Sequence, residues 1–152
     1  MTDEDPFNLK RFVKAQREEK CTPLDEIRRG KKTSHWMWSE FPQVLLGDTE
    51  RSKKYAIHSL EEARAFLAHP VLGKRLSVLA QAMLDLDGRS AEDILDATDA
   101  KKLKSSATLF SLVSPPGSVF HGLLHRFYHG EADAKTVELM QPVDSGPAHS
   151  TP

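Results

Sequence analysis

Apolar residues recur at helical spacing along most of this chain, and turn-forming residues separate the runs. Asp5-Pro6 places a capping aspartate and a first-turn proline before an apolar run, which predicts a helix over residues 6–19. Thr22-Pro23 repeats that signal, and Gly30 is placed to end a second short helix. The N-terminal part of the chain is therefore predicted to be helical.

The rest of the chain carries further helix-start signals, each a capping residue or proline followed by apolar positions. They predict helices that begin near Ser34, Ser59, Pro70, Ser90, Asp99, Ser105, Ser118 and Asp133, with a loop over residues 44–51. A short buried strand is the alternative for the segment after Ser34. No stretch alternates apolar and polar residues with period 2, so the pattern favours an all-α fold.

The chain has 152 residues, which fits a single domain with its own core. We predict one compact multihelical domain of about eight short helices over residues 5–140. Residues 1–4 are predicted to be a flexible N-terminus. Residues 141–152 are rich in proline and glycine and have little to bury, which predicts a disordered tail.

Charge and composition narrow the function classes. The formal net charge is −1, which argues against a nucleic-acid-binding protein because such proteins usually carry a basic excess. No apolar run approaches about 18 residues, so no membrane partner is predicted. One cysteine, Cys21, and a polar N-terminus without a signal-peptide core predict a cytoplasmic protein. The residues do not specify an oligomeric state.

Three short basic runs lie at residues 28–32, 51–54 and 101–104. The first interpretation is that they are solvated helix ends and loops. The second is that they form a surface cup for an anionic ligand such as a phosphate.

Both tryptophans lie in one segment, residues 32–43, beside a histidine. A buried indole needs a partner for its N–H group. One interpretation is therefore that His35, Trp36 and Trp38 lock the core through hydrogen bonds. The other is a pocket in which the indole rings stack on a planar ligand while His35 and Lys32 supply a proton or charge.

Ser105 and Ser106 follow a lysine-rich stretch at a predicted helix start. Backbone N–H groups, hydroxyls and lysines at such a start suit an anion. Simple capping by Ser105 is the alternative.

Metal and cofactor signals are weak in this sequence. His121, His125 and His129 would form one stripe on a helix, but apolar neighbours favour a structural role and no carboxylate completes a His-Glu-x-x-His pattern. The chain also has no glycine-rich phosphate loop and no dinucleotide fingerprint. We predict no metal and no cofactor.

Several sequence blocks occur in a characteristic order. They are residues 5–12, Ser34-His35-Trp36-Met37-Trp38, Phe41-Pro42-Gln43, Tyr55-Ala56-Ile57, residues 59–63, His69-Pro70 and residues 102–110. In these blocks the chain resembles the domain-of-unknown-function family 1810, whose members are sometimes labelled calpastatin-like. The resemblance implies a small, mainly α-helical protein without an assigned activity. It implies motif positions at Lys32, Ser34, His35, Trp36, Trp38, Phe41, Pro42, Gln43, Tyr55, Lys102, Ser105 and Ser106. The chain departs from the family pattern at Ser39, Glu40 and Ala107.

The resulting hypothesis is a pocket for a small planar or anionic metabolite, such as a nucleotide derivative. Its expected ligand-binding residues are Lys32, Ser34, Trp36, Trp38, Gln43, Tyr55, Lys102, Ser105 and Ser106. The residues do not distinguish an enzyme from a binding protein; in an enzyme, His35 would be the acid or base. The alternative is a protein–protein interaction module in which the tryptophan segment is purely core. A cleft shared by the tryptophans, Lys102 and Ser105 would favour the pocket, and full burial would favour the module.

Overall fold

A computed structural model describes residues 5–19, 22–45, 49–86 and 88–140. Within those ranges the chain forms helices and no strand, which confirms the all-α fold class. The helices are α1 Lys10–Glu18, α2 Pro23–Arg28, α3 Met37–Glu40, α4 Glu50–Lys54, α5 Leu60–Ala68, α6 Leu72–Leu84, α7 Ala91–Leu95, α8 Ala97–Ser111, α9 Val119–Tyr128 and α10 Ala134–Leu139. The predicted N-terminal segment 1–4 and tail 141–152 lie outside the described residues, and the domain boundaries stay a prediction.

The first helix begins later than predicted. Asp5 does act as a cap, because its carboxylate oxygens accept the backbone N–H groups of Leu9 (2.7 Å) and Lys10 (3.0 Å). Asn8 has a left-handed φ of 53°, however, which no helical residue can adopt. The helix therefore starts at Lys10 and not at residue 6.

Two other regions also differ from the prediction. The helix α4 begins at Glu50, inside the loop predicted over residues 44–51, and Thr49 Oγ1 accepts the backbone N–H of Ser52 at 3.0 Å. The helix starts predicted at Asp99 and Ser105 are wrong, because α8 is one continuous 15-residue helix that Asp96 caps. Asp99 lies in its first turn and Ser105 in its middle.

Four phenylalanines connect the helices through the core. Phe12, Phe66, Phe110 and Phe120 stand at centroid separations of 5.1, 5.5 and 5.5 Å along this series. They join α1, α5, α8 and α9 in turn. Gly73 allows α6 to approach α5, because a Cβ there would lie 1.9 Å from the carbonyl oxygen of Leu67.

The short helix α3 packs against α1 and α8. It therefore carries the tryptophan segment to the place where the long helix α8 passes. None of the helices in the described ranges is both long enough and apolar enough to cross a membrane.

Candidate functional site

A cleft of about 730 Å³ opens between the end of α3, the helix α4 and one residue of α8. Its lining residues are Trp38, Phe41, Gln43, Val44, Thr49, Glu50, Arg51, Ser52, Lys54, Tyr55, Ala56 and Lys102. Phe41, Val44 and Ala56 are buried and give the cleft an apolar floor. An apolar cavity of this size with a few polar groups is typical of a small-molecule site.

Two aromatic rings and two cations form one wall of the cleft. The centroids of Trp38 and Tyr55 are 4.3 Å apart, with 44° between the ring planes. The guanidinium carbon of Arg51 lies 5.1 Å from the Trp38 ring, and the ammonium of Lys54 lies 5.3 Å from the Tyr55 ring. Cations are attracted to the faces of aromatic rings, so the rings position both charges.

The described residues that line the cleft carry an excess of positive charge. Arg51, Lys54 and Lys102 border it, whereas Glu50 is the acidic residue among the lining residues. Lys102 is 3.4 Å from Asp99 Oδ1, and neither Arg51 nor Lys54 lies in an ion pair with a carboxylate of the described residues. An anionic group is therefore the natural partner for this wall.

Two lining residues also hold polar atoms without a hydrogen-bond partner. The indole N–H of Trp38 and the Oε1 atom of Gln43 are both buried and unpaired within the described part of the chain. Such groups are uncommon in folded proteins because each costs about 1–3 kcal/mol. A donor and an acceptor thus remain unused next to the aromatic wall.

Comparison with known proteins gives the family. A family model described as "Protein of unknown function (DUF1810)" matches residues 6–140. The chain belongs to the DUF1810 family. The chain is also similar to the crystal structure of the conserved hypothetical protein Rv1873 from Mycobacterium tuberculosis. The two sequences are 43% identical, the match covers 90% of this chain and 98% of that chain, and the TM-score is 0.86. No curated protein matches.

The two tryptophans of this DUF1810 chain have different surroundings. Trp36 is fully buried, and its indole N–H donates to Glu26 Oε1 at 2.9 Å. Trp38 is half-buried and lines the cleft. The hypothesis from the sequence was that both indole rings stack on one ligand, but of the two tryptophans only Trp38 lines this cleft.

Glu26 binds the residues that precede α3. Its Oε1 atom also accepts the backbone N–H groups of Thr33 (2.7 Å) and Ser34 (3.0 Å), and its Oε2 atom accepts the Ser34 hydroxyl (2.7 Å). Burial raises the pKa of this carboxyl, but the hydrogen bonds from Ser34, Thr33 and Trp36 outweigh it and lower the pKa to about 2. Ser34 therefore stabilises its segment through its bonds to Glu26. It was predicted to cap the following helix, but the N-cap position of α3 is Trp36.

Lys32 and His35 also lie away from the cleft lining. The Lys32 ammonium forms an ion pair of 2.7 Å with Asp99 Oδ2 and lies 5.4 Å from the Trp36 ring. The His35 side chain is exposed and is not among the lining residues. This cleft therefore does not bring His35 and the two indoles together.

The serines of α8 point to a structural role. Ser105 is buried, and its hydroxyl is 2.8 Å from the Thr136 hydroxyl of α10. Ser106 is buried, and its hydroxyl has no partner among the described residues. Neither lies at a helix start, so the backbone N–H groups expected to accompany them in an anion site are bonded within α8. Lys102 is the member of this stretch that lines the cleft.

The structure adds Arg51 and Lys54 to the candidate site. Both belong to the basic run at residues 51–54, but the sequence analysis predicted a loop over residues 44–51. It therefore did not predict α4, the helix that carries both side chains. No group of three or more histidine, cysteine, aspartate or glutamate residues within the described ranges is arranged to hold a metal. The predicted histidine stripe is interrupted, because His129 has a left-handed φ of 58° after the end of α9.

Proposed function

We propose that this protein binds a small anionic metabolite with a planar group, such as a nucleotide, in the cleft beside Trp38. The observation that carries the proposal is the pair of cations, Arg51 and Lys54, held on the faces of Trp38 and Tyr55 with Lys102 as a third charge. A phosphate would bind these three charges through charge-assisted hydrogen bonds. The apolar floor would contact the planar group.

The remaining polar atoms fit the same class of ligand. Trp38 can donate one hydrogen bond and Gln43 can accept one, and nucleobases carry both acceptors and donors on their edges. His35, Trp36, Ser105 and Ser106 are not part of the proposed site, because they do not line the cleft. The proposal is a binding function and assigns no reaction to the protein.

A thermal-shift and calorimetric screen against AMP, GMP, UMP, CMP, NAD and inorganic phosphate tests the proposal. A ligand present at 100 times its dissociation constant should stabilise the fold by about 2.7 kcal/mol. Lys102→Ala should weaken nucleotide binding by about tenfold or more, because it removes a charge-assisted contact. Lys101→Ala is the matched control, since Lys101 is exposed on the same helix and does not line the cleft.

The pair of lysine variants separates specific from general charge effects. If Lys101→Ala and Lys102→Ala weaken nucleotide binding equally, the binding is non-specific electrostatic attraction, and the proposal is contradicted. Absence of stabilisation by every compound in the screen would also contradict it. Lys54→Ala and its exposed neighbour Lys53→Ala provide a second matched pair on α4.

A further inference from the structure

Two buried carboxyls and one partly exposed guanidinium join α1, α3 and α6. Glu40 Oε1 lies 2.7 Å from Arg75 Nε, and Glu40 Oε2 lies 2.9 Å from Arg75 Nη2. Glu19, at the end of α1, lies 3.7 Å from the same guanidinium and accepts the Ser39 hydroxyl. The side chains of Glu40 and Glu19 are 0% and 7% exposed, whereas that of Arg75 is 38% exposed, so water screens the two carboxyls from each other little.

The charges in this cluster do not balance when both carboxyls are ionised. Two negative charges would then face the positive charge of Arg75, and the Ser39 hydroxyl that donates to Glu19 is neutral. Burial, together with the neighbouring Glu40, raises the pKa of Glu19 to about 8. Near neutral pH Glu19 therefore keeps a proton, which it can donate to Glu40.

The cluster lies on the reverse side of the cleft wall. Trp38 and Glu40 are separated by a single residue on the four-residue helix α3. Side chains two positions apart on a helix lie on nearly opposite sides. Gln16 Nε2 on α1 also donates to the backbone oxygen of Ser39 at 2.9 Å. Gln16 and Glu19 therefore both hold Ser39, the residue that lies between Trp38 and Glu40.

We propose that Glu19 and Glu40 form a proton-dependent clasp between α1 and α3 that sets the position of Trp38 in the cleft. With the shared proton present, the two helices are held together and the aromatic wall is in place. When the proton leaves, the two carboxylates repel each other and the wall loosens. The effect on ligand affinity rests on the proposed binding function, but the movement of Trp38 does not.

Tryptophan fluorescence between about pH 6.5 and pH 9.5 tests the clasp directly. We expect a one-proton transition in the wild-type protein. Trp38→Phe should lose it, because the remaining Trp36 contacts Glu26, whose pKa of about 2 keeps it ionised throughout this range. Glu19→Gln should abolish the transition, and the exposed neighbour Glu18→Gln should retain it. Glu40→Gln should also remove it, because Glu19 then no longer faces a second carboxylate.

A transition that persists in Glu19→Gln, or a wild-type protein without any transition, would overturn the clasp. AMP affinity measured at about pH 7 and pH 9 supplies the second readout, since the phosphate is mostly a dianion at both values. We expect the wild-type protein to lose affinity at the higher pH and Glu19→Gln to lose less. A fluorescence transition without AMP binding would support the clasp and count against the nucleotide proposal, so the two failures are distinguishable.

Discussion

Glu26 fixes the chain between α2 and α3 through one carboxylate that accepts four hydrogen bonds. Three of the donors, the backbone N–H groups of Thr33 and Ser34 and the indole of Trp36, converge on a single oxygen. The carboxylate is nearly fully buried, at 3% exposure. Because the Trp36 indole N–H is enclosed with it, water cannot easily replace the carboxylate at this donor when it is removed.

We therefore expect Glu26→Ala to be one of the most destabilising substitutions in this part of the chain. Leaving the buried Trp36 indole and the partly buried donors of Thr33 and Ser34 without this carboxylate should cost about 3 kcal/mol, and each kcal/mol lowers the Tm of a protein of this size by about 2–4 °C. Asp25→Ala is the control, because Asp25 is its exposed neighbour on the same helix. Calorimetric unfolding of both variants measures the difference, and equal Tm values would contradict the role assigned to Glu26.

At the scale of a helix, α8 shows how polar residues can lie within a buried element. Ser105 and Ser106 are neighbours, both about 1% exposed, but among the residues that the structure describes only Ser105 has a hydroxyl partner, Thr136 on α10. The two serines therefore lie on the same helix and are equally buried, and they differ in whether the hydroxyl has a partner. This pair isolates the value of a single bond between helices.

Ser105→Ala should destabilise the protein by about 1 kcal/mol, because it removes the bond to Thr136 and leaves that hydroxyl with one partner fewer. Ser106→Ala should be neutral or stabilising by a few tenths of a kcal/mol, since it removes an unpaired polar group and alanine is the better helix former. Chemical denaturation of both variants gives the two free energies of unfolding. Equal losses in both would refute the assignment.

The sequence correctly predicted the starts of helices at which the capping side chain bonds a backbone N–H only three residues away. Ser90 and Asp93 form a reciprocal capping box at α7, and Ser118 and Asp133 cap α9 and α10 as expected. The prediction failed at α8, because Asp99 and Ser105 are residue types that usually cap helices. Their polar groups instead contact Lys32 and Thr136, which are distant in sequence, so no local pattern could reveal them.

The candidate site was predictable only in part for a similar reason. Trp38, Gln43, Tyr55 and Lys102 were expected together and do line one cleft. Arg51 and Lys54 lie on α4, which has no buried residue and therefore no apolar periodicity; the pairing of Thr49 with Ser52 was its one local signal. The opposite surroundings of Trp36 and Trp38 depend on where a four-residue helix begins, which sequence patterns locate poorly.

At the scale of the whole molecule, two buried carboxyls with opposite pKa shifts govern how stability depends on pH. Glu26 is held ionised by its hydrogen bonds, and its pKa falls from 4.5 to about 2. Glu19 is held protonated by burial and by Glu40, and its pKa rises from 4.5 to about 8. The two groups therefore act on different sides of the pH at which an unfolded glutamate titrates.

The signs give a maximum of stability in mildly acidic solution. Between about pH 2 and pH 4.5 the unfolded state binds the extra proton at Glu26, so the free energy of unfolding rises with pH. Between about pH 4.5 and pH 8 the folded state keeps the extra proton at Glu19, so the free energy falls, by at most about 1.4 kcal/mol per pH unit. Urea unfolding across this range should give a peak near the crossing point. Glu19→Gln should flatten the alkaline side alone, because it leaves Glu26 and its donors in place. A wild-type curve that continues to rise to pH 8 would show that the buried pair holds no proton.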